Sequence, residues 1–430
     1  MTEGTFAVLT VLVLAWAVTS KVLARANING PLVFTLAGYL LANPDWGVLA
    51  VDFEAPSIHV TAELTLALLL FADASRVNVS KLRRDLGLPS RLLGIGLPLS
   101  VLLGSLLAAW LLDDISWALA GFVGATLAPT DAALSAQVIN DKRIPMRVRR
   151  VLNVESGLND GIVTPIVAFA LAVAASELGV TGHDDASGGG ALLELAVGVA
   201  VGLALGLGSA LLISMGSRRE WIVTGGRRLA TLGAALSSFA IAVALHGNGF
   251  IAAFVAGIAF GAALDDEVVD VEEAGELPEL LGEVLAFVVW FVFGAVLVPL
   301  AFTNLDVAIL VYALLSLTVV RMLPLALSLV GAGLDRQTVL FMGWFGPRGL
   351  ASVVFALLAV EELGETSFVV PALAAVSLTV FLSVVLHGVT AGPLGSRYAR
   401  FHREHEEPDQ APRSRRSGAG DNHQGKDVLP

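Results

Sequence analysis

Stretches of roughly 20 residues with no charge recur along this chain, which is the length a helix needs to cross the hydrocarbon of a bilayer. No water is present there to satisfy backbone groups, so such stretches must be helical. A transmembrane β-barrel would need alternating polarity in segments of about ten. Runs such as Leu97–Leu112 and Leu192–Ile213 do not alternate. Composition agrees: 56% of the 430 residues are hydrophobic and 15% charged, against about 25% charged in soluble domains. Mean hydropathy is +0.79. Cysteine is absent, which excludes thiolate chemistry. The net charge of −12 says little about partners, because the acidic residues lie mainly in loops; no cofactor and no nucleic-acid partner are expected.

The pattern predicts an all-α polytopic membrane protein with about thirteen spans. They run Thr5–Val22, Pro31–Leu41, Ser57–Asp73, Leu88–Leu112, Ser116–Ile139, Val151–Ala175 and Ala191–Met215, then Leu229–Leu245, Gly249–Leu264, Val284–Pro299, Val307–Val330, Thr338–Val360 and Val369–Val389. The first span is too long for a removed signal and lacks a small-residue cleavage site, so it reads as a helix. Residues 1–395 form the transmembrane domain and 396–430 a short polar tail expected to be disordered.

Lys and Arg fix an expected orientation. Loops after odd-numbered spans, together with the tail, hold 24 of the 26, including Arg76, Lys81, Arg143, Arg218, Arg227 and Arg228. Loops after even-numbered spans hold none, and carry acids such as Asp52, Asp113 and Glu361 instead. The N-terminus is therefore expected outside and the C-terminus in the cytoplasm. The acidic 265–283 stretch, on the positive side, reads as a solvated linker.

Arg321 and Arg348 are left over, both inside apolar spans. A charge at the bilayer centre costs at least about 2.5–3.5 kcal/mol and persists only with a partner or a function. The acids available to match them are few. Asp131 lies in span 5, Glu155 and Asp160 in span 6, and Asp73 at the end of span 3. In span 6, Ser156 and Asp160 stack on one helix face, and Glu155 and Asn159 lie about 100° round. This polar quadrant must face protein or a water-filled cavity. Pro129 interrupts span 5 and frees carbonyls near Leu127 and Ala128 to face a cation, beside Thr130 and Asp131. Span 12 is broken at Gly346-Pro347-Arg348-Gly349. Paired broken helices in two halves point to inverted repeats with a midplane site between them. Asp73, near Arg76 and Lys81, suits an entrance or capping role better than a binding one. For Thr130, Ser156 and Asn159, ligation and bonding to the helix itself both stay open.

Thr130-Asp131 on a broken span, Glu155-Ser156 followed by Asn159-Asp160, Arg321, and Gly346-Pro347-Arg348-Gly349 together resemble the monovalent cation:proton antiporter family, in its electroneutral sodium/proton exchanger branch. The likeness spans almost the whole chain apart from the tail. It implies two interleaved bundles, broken helices in spans 5 and 12 crossing near the midplane, a homodimer in the cell membrane, alternating access and a role in pH homeostasis. It also implies that Asp160 is the site shared by cation and proton, with Na⁺ held at Asp160, Asp131, Ser156 and Thr130, and that Glu155 pairs with Arg321. The electrogenic branch carries Asp-Asp, and usually a lysine where Arg321 stands. Asn159 and Arg321 therefore favour one-for-one exchange.

A carboxylate out of water favours its neutral form, reached by taking a proton or a cation. If the protein rocks only when Asp160 is neutralised, exchange follows. Arg321 cannot release a proton and can balance Glu155, while Arg348 can offset Asp131 or the helix-end dipoles. With Na⁺ (or Li⁺) as the first reading, the alternatives are K⁺ in its place, an ion channel, or a membrane-embedded aspartyl protease using Asp131 and Asp160. Zinc, nucleophile-elbow and phosphate-loop motifs are missing.

Overall fold

A computed structural model describes residues 3–51, 56–77, 87–113, 115–179, 188–364 and 366–406. Every regular element among them is helical. In chain order these are α1 Glu3–Arg25, α2 Gly30–Leu41, α3 Pro56–Ser75, α4 Gly87–Leu111, α5 Trp117–Thr126, α6 Ala136–Ile139, α7 Met146–Glu177, α8 Gly188–Arg218, α9 Thr224–Ala244, α10 Gly249–Ala263, α11 Val271–Thr303, α12 Val307–Ser328, α13 Arg336–Trp344, α14 Leu350–Leu363 and α15 Val370–Glu406. Nine are long and apolar enough to cross a membrane, α2 and α10 are shorter, and α5/α6 and α13/α14 are halves of two broken segments. The described residues thus hold thirteen membrane segments, as the charge-free runs predict.

Local chemistry sets where the helices begin. Asn29, Ser116, Asn248, Asp270, Asp306 and Asp335 each accept a hydrogen bond from a backbone N–H in the first turn of the helix that follows. Glycines decide one close pairing: Gly198, Gly202 and Gly206, spaced by four, lie against backbone atoms of Asn248, Ala252 and Ala256, so the backbones of α8 and α10 approach closely there.

The helices sort into two groups. α4 to α7 pack with one another, as do α12 to α15, and α5, α6 and α7 meet α14 and α15 across the middle. The other group is α1 to α3 with α8 to α11. The seam between them runs along α3, α10 and α11 on one side and α7, α14 and α15 on the other. Spans 4–6 and 11–13 repeat a plan: a helix with one π-helical turn (Leu92–Gly96 in α4, Ser316–Val320 in α12), a broken segment, then a long helix. An odd number of spans separates the two triplets' starting points, so they traverse the membrane in opposite senses, which is an inverted repeat.

Two expectations need correction. The 265–283 stretch is not a linker. Asp270 caps a helix that runs from Val271 into span 10, and four of the stretch's acids, Asp265, Glu273, Glu276 and Glu279, are paired with arginines. Arg76 forks onto Glu279, with Nη1 to Oε1 at 2.6 Å, while Arg218 meets Asp265, and Arg228 meets Glu276 at 2.7 Å. Matching the basic ends of α3, α8 and α9 gives the acids a reason to be ordered. Residues 396–406, expected in the tail, are the last turns of α15. Residues 407–430 and Lys81 lie outside the described residues.

Candidate functional site

The two breaks meet backbone to backbone: Asp131 N–H donates to Pro347 O at 2.9 Å. Each break then supplies a charge to a helix end belonging to the other. Arg348, fully buried, donates from Nη1 to Ala128 O at 2.8 Å and Pro129 O at 3.1 Å, just past the C-terminus of α5. Asp131 accepts from Leu350 N–H at 3.0 Å, at the N-terminus of α14. Its other oxygen accepts from Ala133 N–H at 2.7 Å and Leu134 N–H at 3.2 Å. A cation thus faces the negative end of one half-helix and an anion the positive end of another, the arrangement helix dipoles favour. The Ala128 carbonyl, expected to be free for a cation, is taken by Arg348. Arg348 acts on helix-end carbonyls and not on Asp131.

The glycines of the second break carry physical weight. A methyl group at Gly349 would overlap the Asp131 carboxylate, and one at Gly346 would overlap the Arg321 guanidinium. Both positions require the absence of a side chain because another chain segment's charge occupies the space.

α7 presents the quadrant anticipated from its spacing. Glu155, Ser156 and Asn159 are buried and Asp160 is half-buried. Glu155 accepts a bidentate pair from Arg321, which follows directly on the π-helical turn of α12. The Nη2–Oε2 distance is 3.0 Å. Thr130 Oγ1 lies 3.1 Å from Ser156 Oγ and accepts from Asn159 Nδ2 at 2.8 Å. Asn159 Oδ1 is buried without a partner among the described residues. These contacts tie the first break to α7.

Asp160 differs from every neighbour. Among the described residues its carboxylate accepts no hydrogen bond and meets no cation, and the groups acting on it electrostatically are the acids Asp131 and Asp73. Asp73 is placed closer to the site than its position at a span end suggests. It is half-buried on α3 opposite Gly157, whose missing Cβ would stand 3.8 Å from Asp73 Cβ. Arg76 is turned away to Glu279. Asp160, Asp131 and Asp73 therefore converge from α7, the first break and α3, at the seam between the bundles.

Two residues escaped the sequence reading. Ser383 Oγ accepts from Arg348 N–H at 2.7 Å, and His387 Nε2 lies 2.9 Å from Trp344 O, the end of α13. Together they brace both lips of the second break from α15. The signal was their four-residue spacing in an apolar span.

Comparisons with known proteins agree with this architecture. The family profile described as "Sodium/hydrogen exchanger, transmembrane" matches residues 8–397, and the chain belongs to that family. The K(+)/H(+) antiporter NhaP of Alkalimonas amylolytica is 25% identical over 356 residues, which is 82% of this chain and 60% of that protein. The K(+)/H(+) antiporter NhaP2 of Shewanella sp. (strain MR-4) is 26% identical over 246 residues, 56% of this chain and 41% of that protein. The chain thus spans only about half the length of the curated relatives it matches. The solved sodium proton antiporter MjNhaP1 from Methanocaldococcus jannaschii at pH 8 superposes with a TM-score of 0.74 at 20% identity, covering 92% of this chain and 98% of that one, and shares its fold.

Proposed function

We propose that this member of the sodium/hydrogen exchanger family is a secondary antiporter that exchanges one monovalent cation for one proton at Asp160. The observation that carries the reading is the contrast among buried charges. Glu155 is balanced by Arg321, Arg348 by helix-end carbonyls and Asp131 by three backbone N–H groups, whereas Asp160 is left without a partner. Asp73 also accepts no hydrogen bond among the described residues, but Arg76 acts on it, whereas the charges acting on Asp160 are acids alone. A proton or a cation neutralises it, and the two compete for the same oxygens. Coupling follows if the bundle of α4–α7 and α12–α15 moves against the other only with Asp160 neutralised.

In this reading Asp131, Ser156, Thr130 and Asn159 shape the site, and Asp73 lines the approach from the seam. Glu155 and Arg321 form a fixed pair. One titrating acid per cycle gives electroneutral exchange, in keeping with Asn159 preceding Asp160 and with arginine at 321. The protein works as a homodimer in the cell membrane, with its N-terminus outside and C-terminus in the cytoplasm, and contributes to pH homeostasis. Sodium (or lithium) is the first candidate ion, as in the name of the solved structural neighbour. Potassium is the second, as in the names of the two relatives. An aspartyl protease is disfavoured because such a dyad shares a proton between two free carboxylates, and both Asp131 oxygens are taken by N–H donors.

The test uses proteoliposomes with an internal pH dye, challenged with Na⁺, Li⁺ or K⁺. Wild type should move protons against one of these ions without net current. Asp160→Asn should be folded and inactive. Normal proton flux from that variant, or ion-independent current from wild type, would sink the reading.

A further inference from the structure

A cavity of about 840 Å³ opens between α13 and the C-terminal turns of α15, away from Asp160. Phe341, Trp344 and Tyr398 line it on the aromatic side, and Leu340 stands exposed at its edge. Arg397 and Arg400 line it from α15, both exposed. Neither arginine has a carboxylate or other hydrogen-bond partner among the described residues, whereas Arg76, Arg143, Arg218, Arg227 and Arg228 on the same side of the protein are all paired.

The wall is built, and the polar atoms of Tyr398 and Trp344 in it are already engaged. Tyr398 OH lies 2.7 Å from Thr338 Oγ1, which donates to Asp335 at 2.6 Å. Phe341 stacks on Tyr398 with ring centroids 4.1 Å apart, and Trp344 Nε1 donates to Thr390 at 3.0 Å. What remains available is the Gln337 amide and two guanidinium groups above an aromatic and aliphatic surface. That combination fits a phosphate with a hydrocarbon tail. Its place at the end of a span, on the Lys- and Arg-rich side, is where anionic headgroups of the cytoplasmic leaflet lie.

We propose that this cavity seats the headgroup of an anionic phospholipid from the cytoplasmic leaflet. Arg397 and Arg400 clasp the phosphate, and Leu340 and Trp344 take the first carbons of the chains. The seat adjoins the ion machinery, because Trp344 ends α13 and its carbonyl is held by His387 at the lip of the second break. The inference rests on the proposed orientation and is independent of which ion is carried.

The full-length protein in neutral detergent is titrated with phosphatidylglycerol, phosphatidylcholine or sn-glycerol 3-phosphate, with bound lipid counted by native mass spectrometry. Wild type should bind phosphatidylglycerol in preference to phosphatidylcholine and should ignore the free phosphate ester. Arg397→Gln/Arg400→Gln should bind phosphatidylglycerol about 30-fold more weakly, from about one decade or less per guanidinium, while Lys21→Gln/Arg25→Gln on α1 keeps wild-type binding. Should the double arginine variant fail to fold, Leu340→Trp keeps both arginines and should reduce binding by filling the edge of the seat. Equal binding by wild type and the Arg397/Arg400 variant, or by wild type and Leu340→Trp, would overturn the proposal. So would an equal loss in the α1 variant, or binding of the free ester as tight as that of the lipid.

Discussion

The two broken segments share a plan but differ in how much of the molecule they leave open. Residues 127–135 and 345–349 each interrupt a helix at a proline, and each sends one charge to the other's helix end. Arg348 is sealed, with no exposed surface and with Ser383 and His387 bracing its segment from α15. Asp131 is half-buried and lies on the side of the crossing where Asp160 and Asp73 converge. In the proposed mechanism one break serves as an anchor and the other as a wall of the site. A charge that compensates a dipole need not titrate or move, and burying the cation frees the acidic side for an exchangeable ion.

If this division is right, breaking the anchor should hurt folding most. Arg348→Gln leaves buried carbonyls at Ala128 and Pro129 short of donors and should cost about 2–4 kcal/mol, read as a large fall in thermal midpoint in detergent. An unchanged midpoint would refute the anchor role. Gly349→Ala forces a methyl into the Asp131 carboxylate and should cost about 1–3 kcal/mol. It should also impair exchange more than the stability loss explains, as proteoliposome flux per folded protein would show. Asp131→Asn replaces an acceptor by an amide N–H facing Leu350 N–H, at about 1–2 kcal/mol. It should fold, with a raised KM for the cation. A KM equal to wild type would move Asp131 from the wall of the site to a purely structural cap.

The smallest effect belongs to the surface. The Arg218 guanidinium hydrogen-bonds Asp265 and holds that carboxyl below its usual range. Its folded-state value being depressed, the pair's contribution is present above the ordinary carboxylate pKa and is lost only as pH falls through the depressed value. Arg218→Gln should therefore leave stability near neutral pH almost unchanged and raised salt should hide the difference. A large loss at pH 7 would mean that the acidic start of α11 holds the bundle together.

Most residues of the proposed site stood out beforehand because intramembrane charge is costly and so conspicuous. Glu155, Asp160, Asp131, Arg321 and Arg348 announce themselves by standing in apolar runs, and the prolines mark both breaks. What stayed hidden were partnerships between residues far apart in the chain. Ser383 and His387 look like ordinary polar residues until Arg348 and Trp344 are set beside them. Glu279 looks like a loop acid until Arg76 is placed opposite. Gly346 and Gly349 look like helix breakers alone until the charges filling their missing side-chain space are seen.

The sequence by itself determined the environment, the number of spans and the set of buried charges, since each follows from the local cost of placing a backbone or a charge in hydrocarbon. Only the tertiary structure decided which of those charges was left over. Asp160 and Glu155 sit five residues apart on one helix and are equivalent by any local measure. Arg321, brought in from α12, satisfies one of them and leaves the other open. Pairing is a property of three-dimensional neighbours, and that is where the difference between a paired acid and an unpaired one is made.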